Sequence, residues 1–150
     1  MRITHRAIIA LLSAALMATL VIGSTATPTS ALSASNATKV LKKAASLKGT
    51  PYKWGGTTRR GFDCSGYTQY VFKHVLKRNI GRVVSQQATK GHAVNRSSKK
   101  RGDLIIFVRG GRKYHVGIYA GAGRIWHASR PGVPVKKERI WTSAYRVRRL

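Results

Sequence analysis

Acidic side chains are almost missing from this chain of 150 residues: Asp63, Asp103 and Glu138 stand against 29 lysines and arginines, a formal charge of +26. That scarcity excludes a calcium cage, which needs several carboxylates around one ion, and leaves carboxylate-pair glycosidase chemistry only those three residues to draw on. Cysteine is nearly absent too. With Cys64 alone, no intramolecular disulfide can form and no zinc site of the CxxC type exists. The thiol is either an inert buried group or a reactive one. Long apolar runs are equally scarce. The one at residues 7–23 follows a short positive leader of Arg2, His5 and Arg6 and precedes a stretch of Ser, Thr, Ala and Pro. That is the order of an export signal. Small residues at Thr29, Ser30 and Ala31 place cleavage after Ala31, which makes 1–31 a signal peptide, 32–36 a short linker and 37–150 one domain. Export removes only Arg2 and Arg6, so the expected product is secreted, has no stable membrane anchor and keeps a field that seeks polyanions.

Within the exported part, Val40, Leu41, Ala44, Ala45 and Leu47 recur at helical spacing behind a cap at Ser35 or Asn36, and Gly49 ends the helix. Residues 50–56 form a turn-rich loop. A second helix is predicted from Asp63 or Cys64 to about Arg78, capped by Asp63, with Tyr67, Tyr70, Val71, Val75 and Leu76 as its inner stripe. Residues 81–101 are polar and basic, with room for one short helix near Gln86. Strands follow at 104–108, 114–120 and 124–128, joined by glycine turns, with weaker strand signals at 133–135 and 145–147. Two helices followed by a meander of short antiparallel strands is an α+β arrangement, N-terminal helices packed on a central antiparallel sheet.

Few chemistries fit these elements. Gly56 to Gly61 has the spacing of a phosphate loop, but Phe62 and Asp63 stand where Lys and Ser or Thr are required. His115 and His127, on neighbouring strands, could take a third metal ligand only from Cys64 or the three acids, so neither metal nor cofactor is expected. A cysteine at a helix start is different, because unpaired N–H groups there favour the thiolate. His115 could take the thiol proton and His127 could hold its ring. On pattern alone, a buried cysteine and two hydrogen-bonded core histidines explain the same residues.

The residues also carry a resemblance. Gly49-Thr50-Pro51-Tyr52-Lys53-Trp54-Gly55-Gly56, Phe62-Asp63-Cys64-Ser65-Gly66, Gly102-Asp103-Leu104, His115-Val116-Gly117-Ile118-Tyr119 and His127-Ala128-Ser129, in that order, resemble the signatures of the NlpC-type cell-wall peptidases over about residues 37–149. The resemblance implies a reduced papain-like fold, with Cys64 as nucleophile, His115 as base and His127 as the residue that orients it. It implies substrate-binding roles for Tyr52, near the oxyanion, and for Asp63 and Ser65, which in some members hold a free peptide amine; Asp103 is expected to be structural. The function it implies is a secreted, wall-associated monomer that cleaves stem peptides of peptidoglycan through a thioester, after D-glutamate. Its partners would be peptidoglycan and anionic wall polymers, with no nucleic acid. Two departures stand out: Arg101 replaces a proline, and Tyr67-Thr68 replaces a more aliphatic pair. An acyltransferase or amidase could use the same machinery. A non-catalytic cationic protein binding nucleic acid or envelope polyanions, through Lys99 to Arg101, Lys136, Lys137, Arg146, Arg148 and Arg149, is the alternative from another class.

Overall fold

The computed structural model describes residues 32–150, so the export-signal reading of 1–31 lies outside the described residues. Helix α1 (Ala34–Ser46) starts inside the expected linker because Ser33, rather than Ser35 or Asn36, is its cap: the Ser33 hydroxyl accepts from the Asn36 N–H at 3.1 Å. Val40, Leu41, Ala44 and Leu47 are buried as their spacing requires, while Ala45 is exposed. The loop beyond it carries a hairpin that its composition does not announce, β1 (Thr57–Thr58) with β2 (Gly61–Phe62). Helix α2 (Cys64–Leu76) has Asp63 as its cap and stops at Lys77, whose left-handed φ of 56° breaks the hydrogen-bond ladder. Tyr67, Val71 and Phe72 are fully buried, so the inner stripe includes a phenylalanine that the periodic reading omits.

The unusual Tyr67-Thr68 pair has a structural reason. Tyr67 donates its phenol to the Ala44 carbonyl at 2.9 Å, joining the two long helices, and Thr68 bonds Gln87 Oε1 at 2.6 Å. Gln87 lies on α3 (Val84–Gln87), the short helix expected near Gln86, and its amide donates to the Ser65 carbonyl at 2.8 Å. Buried polar groups need such partners, and here they tie three helices into one unit.

Six antiparallel strands make the sheet: β3 (His92–Val94), β4 (Leu104–Arg109), β5 (Arg112–Gly121), β6 (Arg124–His127), β7 (Lys136–Arg139) and β8 (Tyr145–Arg149). Their spatial order is β3-β8-β4-β5-β6-β7. The meander reading therefore describes β4 to β7 but not β8, which returns to the far side of β4 and accepts the largely exposed strand β3 as its other neighbour. Asp103 secures that return: its carboxylate takes two hydrogen bonds from Arg149, each 2.8 Å, and one from the Lys100 N–H at 2.7 Å. Arg148 donates to the carbonyls of Thr89, Lys90 and Gly91, so two arginines of the expected polyanion patch are taken up by the chain itself. The strand signal at 133–135 is displaced. Val133 makes only an isolated bridge to Arg130, Pro134 has no N–H to give, and the strand begins at Lys136.

Leu104 to Phe107 is an unbroken apolar run because both faces of β4 are covered. Leu104 and Ile106 pack with the helices, and Ile105 and Phe107 pack with Ile125 and Val147 on the opposite face. Each such fully buried side chain contributes about 1.5–3 kcal/mol. The same alternation puts Val116 and Ile118 toward the helices and Tyr119 on the other face, where the His115 ring lies 5.6 Å from Phe107.

Candidate active site

Two walls enclose a cleft of about 820 Å³ lined by Tyr52, Cys64, His115, His127 and Ser129, with Trp54 and Trp141 exposed at its rim. The first wall is the start of α2 pressed against the loop of residues 50–56. Gly56 accepts from the Asp63 N–H at 3.1 Å, and a Cβ on Gly66 would sit 2.0 Å from the Gly56 carbonyl oxygen. Only hydrogen at position 66 allows that approach. Tyr52 enters through a parallel bridge to Phe62. Cys64 is thus carried on a helix start whose position is dictated by backbone contact.

Asp63 and Ser65 flank Cys64 in an adjoining cavity of about 700 Å³ that shares Tyr52, Trp54 and Cys64 with the first. Asp63 is already saturated. It accepts from Gly66 N–H at 2.7 Å and Gly55 N–H at 3.0 Å, and Arg82 grips both its oxygens at 2.7 and 3.0 Å. Arg82 also donates to the Ser65 hydroxyl at 3.2 Å. A peptide amine reaching this carboxylate would have to displace one of these donors, so the geometry gives Asp63 a capping and loop-tying task. Arg82 sits in the polar stretch that composition leaves featureless, and no local pattern marks it.

The second wall is the hairpin of β5 and β6 with β7 beside it. His115 Nε2 lies 2.8 Å from His127 Nδ1, and His127 Nε2 lies 2.7 Å from Glu138 Oε2. Glu138 also receives Lys136 Nζ at 2.7 Å. Gly117 permits the crossing, since a Cβ there would meet Ile125 at 2.7 Å. Trp141 stacks on Phe107 with centroids 4.2 Å apart and an angle of 2°, and stands 5.6 Å from each imidazole. This aromatic cover shields both imidazoles from water and so disfavours their charged forms.

Burial, with the neighbouring His127, pushes the His115 pKa down to about 3, against the pull of Glu138. His127 is also lowered, by burial first. Burial and the adjacent Asp63 charge push the Cys64 thiol up, while backbone hydrogen bonds involving Val116, Ser65 and Cys64 pull it down. The resting pair is thus a thiol and a neutral imidazole, whereas a helix start alone suggests a thiolate. Tyr52 is raised by burial and by Cys64 and Asp63, so its phenol keeps its proton and remains a donor. The Ser129 hydroxyl oxygen is buried in the cleft wall without a hydrogen-bond partner among the described residues. Sequence reasoning missed Glu138 and Ser129. For Glu138 the sequence offers only its rarity, one of three acids in 150 residues; its place on a strand beside the histidines is fixed by the fold.

Comparison with known proteins places the chain in a family. Residues 49–149 match the model of the NlpC/P60 family. Protein P54 of Enterococcus faecium is 42% identical over 101 residues, covering 67% of this chain and 20% of its own length. The murein DD-endopeptidase MepS/murein LD-carboxypeptidase of Escherichia coli K12 is 37% identical over 91 residues, covering 61% of this chain and 48% of its own. The chain thus spans between a fifth and a half of the length of these two curated relatives. Among solved structures, the NlpC/p60 domain of the peptidoglycan hydrolase SagA superposes with a TM-score of 0.69 at 38% identity, over 74% of this chain and 95% of its own. The peptidoglycan hydrolase RipB from Mycobacterium tuberculosis gives 0.69 at 32% identity, over 77% and 64%.

Proposed function

The chain belongs to the NlpC/P60 family, and on that premise we propose that it is a secreted cysteine endopeptidase that hydrolyses an amide bond in the stem peptides of peptidoglycan, after D-glutamate. The observation that supports this reading is the shared cleft, whose lining includes both Cys64 and His115, while His127 holds His115 by one ring nitrogen at 2.8 Å. The Cys64 thiol passes its proton to the ring nitrogen of His115 that His127 leaves free, and the sulfur attacks the carbonyl carbon. The Cys64 backbone N–H and the Tyr52 phenol offer hydrogen bonds to the oxyanion. His115 then returns the proton to the departing amine as the C–N bond breaks, leaving a thioester. In the second half, water gives its proton to His115 and attacks the thioester carbonyl; the carboxylic acid product leaves and Cys64 regains its proton.

Substrate capture follows from charge. Asp63, Asp103 and Glu138 are all paired within the fold, with Arg82, with Arg149 and with His127 and Lys136 respectively. No other acid side chain exists to offset the exposed lysines and arginines. Anionic wall polymers are the partner such a surface attracts. Purified peptidoglycan digested with the exported chain and with its Cys64→Ala variant, and read by mass spectrometry, tests the reading. New termini at a stem-peptide amide with the first chain and none with the second are expected; unchanged cleavage by Cys64→Ala would overturn it.

A further inference from the structure

Of the three acids, two meet arginines that tie backbone segments together, and the third meets a histidine. Glu138 lies on β7, where Ile125 pairs with Glu138 and His127 with Lys136, so its carboxylate crosses diagonally to the His127 ring. One oxygen is 2.7 Å from His127 Nε2 and the other 2.7 Å from Lys136 Nζ. Partial burial works to raise its pKa, yet the hydrogen bonds from Lys136 and His127 and their charges hold it below the usual carboxylate range. It is ionised, and an ionised carboxylate only accepts.

The consequence passes through two rings. His127 is neutral, because burial and the charges of Lys136 and Arg130 outweigh the pull of Glu138. Its single N–H must therefore lie on Nε2, facing Glu138, and its Nδ1 becomes an acceptor. The nitrogen 2.8 Å away is His115 Nε2, so the single proton of neutral His115 lies there, and His115 Nδ1 keeps its lone pair. We propose that Glu138 is a positioning residue: acting through His127, it sets the proton of His115 on Nε2 and leaves Nδ1 as the base for the Cys64 thiol. This rests on the peptidase reading of Cys64 and His115. Without Glu138 the reverse chain is equally bonded, with His127 Nδ1–H donating to His115 Nε2 and an N–H turned toward the thiol where a lone pair is needed. Trp141 and Phe107 cover the rings, so protein groups rather than water choose between the two tautomers.

Ring nitrogen shifts in the full exported chain labelled with 15N-histidine read the tautomers directly, with exposed His74 and His92 reporting that the fold is intact. His115 and His127 are expected as single Nε2–H tautomers, and Glu138→Ala is expected to lose that uniformity at both rings. Kinetics on a soluble stem peptide supply the second readout. Glu138→Ala is expected to lower kcat by about 10- to 100-fold with little change in KM, because a wrong tautomer removes the base without removing the pocket. Glu138→Gln, whose amide oxygen still accepts from His127, is expected to recover most of that loss, and Glu138→Lys, a donor only, to be the slowest. Unaltered Nε2–H tautomers in Glu138→Ala, or a kcat within twofold of the parent, would overturn the role of Glu138. Cys64→Ala is assayed alongside: if it still turns over, the peptidase reading fails, while the nitrogen shifts continue to decide whether Glu138 sets the tautomers.

Discussion

The two walls of the cleft are built on different principles. On the helix side, Cys64 is placed by backbone: Gly56 and Gly66 in contact, Asp63 capping the helix and gripping the loop, Arg82 closing the cluster. On the strand side, His115 is placed by a row of side chains, His127 and Glu138, under an aromatic cover. A backbone-built wall tolerates little change in shape and carries little chemistry in its supports. A wall built of side chains is softer, and every support in it can hold or release a proton. Cys64, the proposed nucleophile, thus has a fixed position, and His115, the proposed base, a fixed protonation state.

The largest effect that would separate the walls is on turnover. Cys64→Ala is expected to abolish hydrolysis while leaving the melting temperature within a few degrees, since the change removes one sulfur from a wall held by other atoms. Dead protein that is also unfolded would show that the thiol is structural. Next come the histidines, which should not be equivalent. His115→Ala is expected to leave no measurable turnover, and His127→Asn, which keeps a polar group near the ring, to retain activity reduced roughly 10-fold. An active His115 variant beside an inactive His127 variant would reverse their assigned roles.

Gly66→Ala probes the backbone wall. With Gly56 O 2.0 Å from the new carbon, the loop or the helix must move, at a cost of roughly 2–4 kcal/mol in a denaturant titration, and Cys64 moves with it. An unchanged midpoint would mean that the loop yields freely.

The protonation states predict a pH dependence of opposite character for the two walls. Because burial and Asp63 raise the Cys64 pKa, its alkylation by iodoacetamide should keep accelerating beyond the usual thiol pKa of about 8.5. A rate already flat near neutral pH would mean that the thiolate is preformed. His115 takes up its proton near pH 6.5 when unfolded and near 3 when folded, so the unfolded chain binds more protons between those values. Stability should therefore fall as pH drops through that window, and a His115→Gln chain should lose less of its own stability across it.

The smallest effect on chemistry is expected from the outer surface. Replacing exposed Lys39, Lys42, Lys100 and Arg101 with Gln should weaken binding to whole walls, most at low salt, and leave cleavage of a soluble stem peptide within a few fold. Unchanged wall binding would assign recognition to the cleft alone.

The helix start in the first wall is legible in the sequence, but its partner Arg82 is not. Asp63-Cys64-Ser65-Gly66 is one contiguous segment in which the helix start and its cap follow from local rules, and Asp63 is the cap in the structure as well; the approach of Gly66 to Gly56 is visible only in the fold. At α1 the same rule points two or three residues too far along, because Ser33, Ser35 and Asn36 are all competent caps by residue type and residue type alone does not choose among them. In the strand wall, the sequence shows two histidines on a hairpin. Its third member stays hidden because Glu138 reaches His127 only through the register of β6 with β7, and the strand signal points to residues 133–135 instead.

What the amino-acid sequence determined by itself is everything set by short-range geometry and by composition. The two long helices, the hairpins turning on Gly110-Gly111 and Gly121 to Gly123, the α+β class and the unbalanced positive charge all belong to it. Tertiary structure decided where β8 goes, which arginines are consumed by Asp63 and Asp103, and that both histidines are buried and neutral. The reason is physical. A cap, a turn or a helical stripe is specified by neighbours within a few residues, whereas a hydrogen bond between side chains 11 or 12 positions apart exists only once strand pairing has fixed their separation, and a pKa exists only once burial has been set by the whole fold.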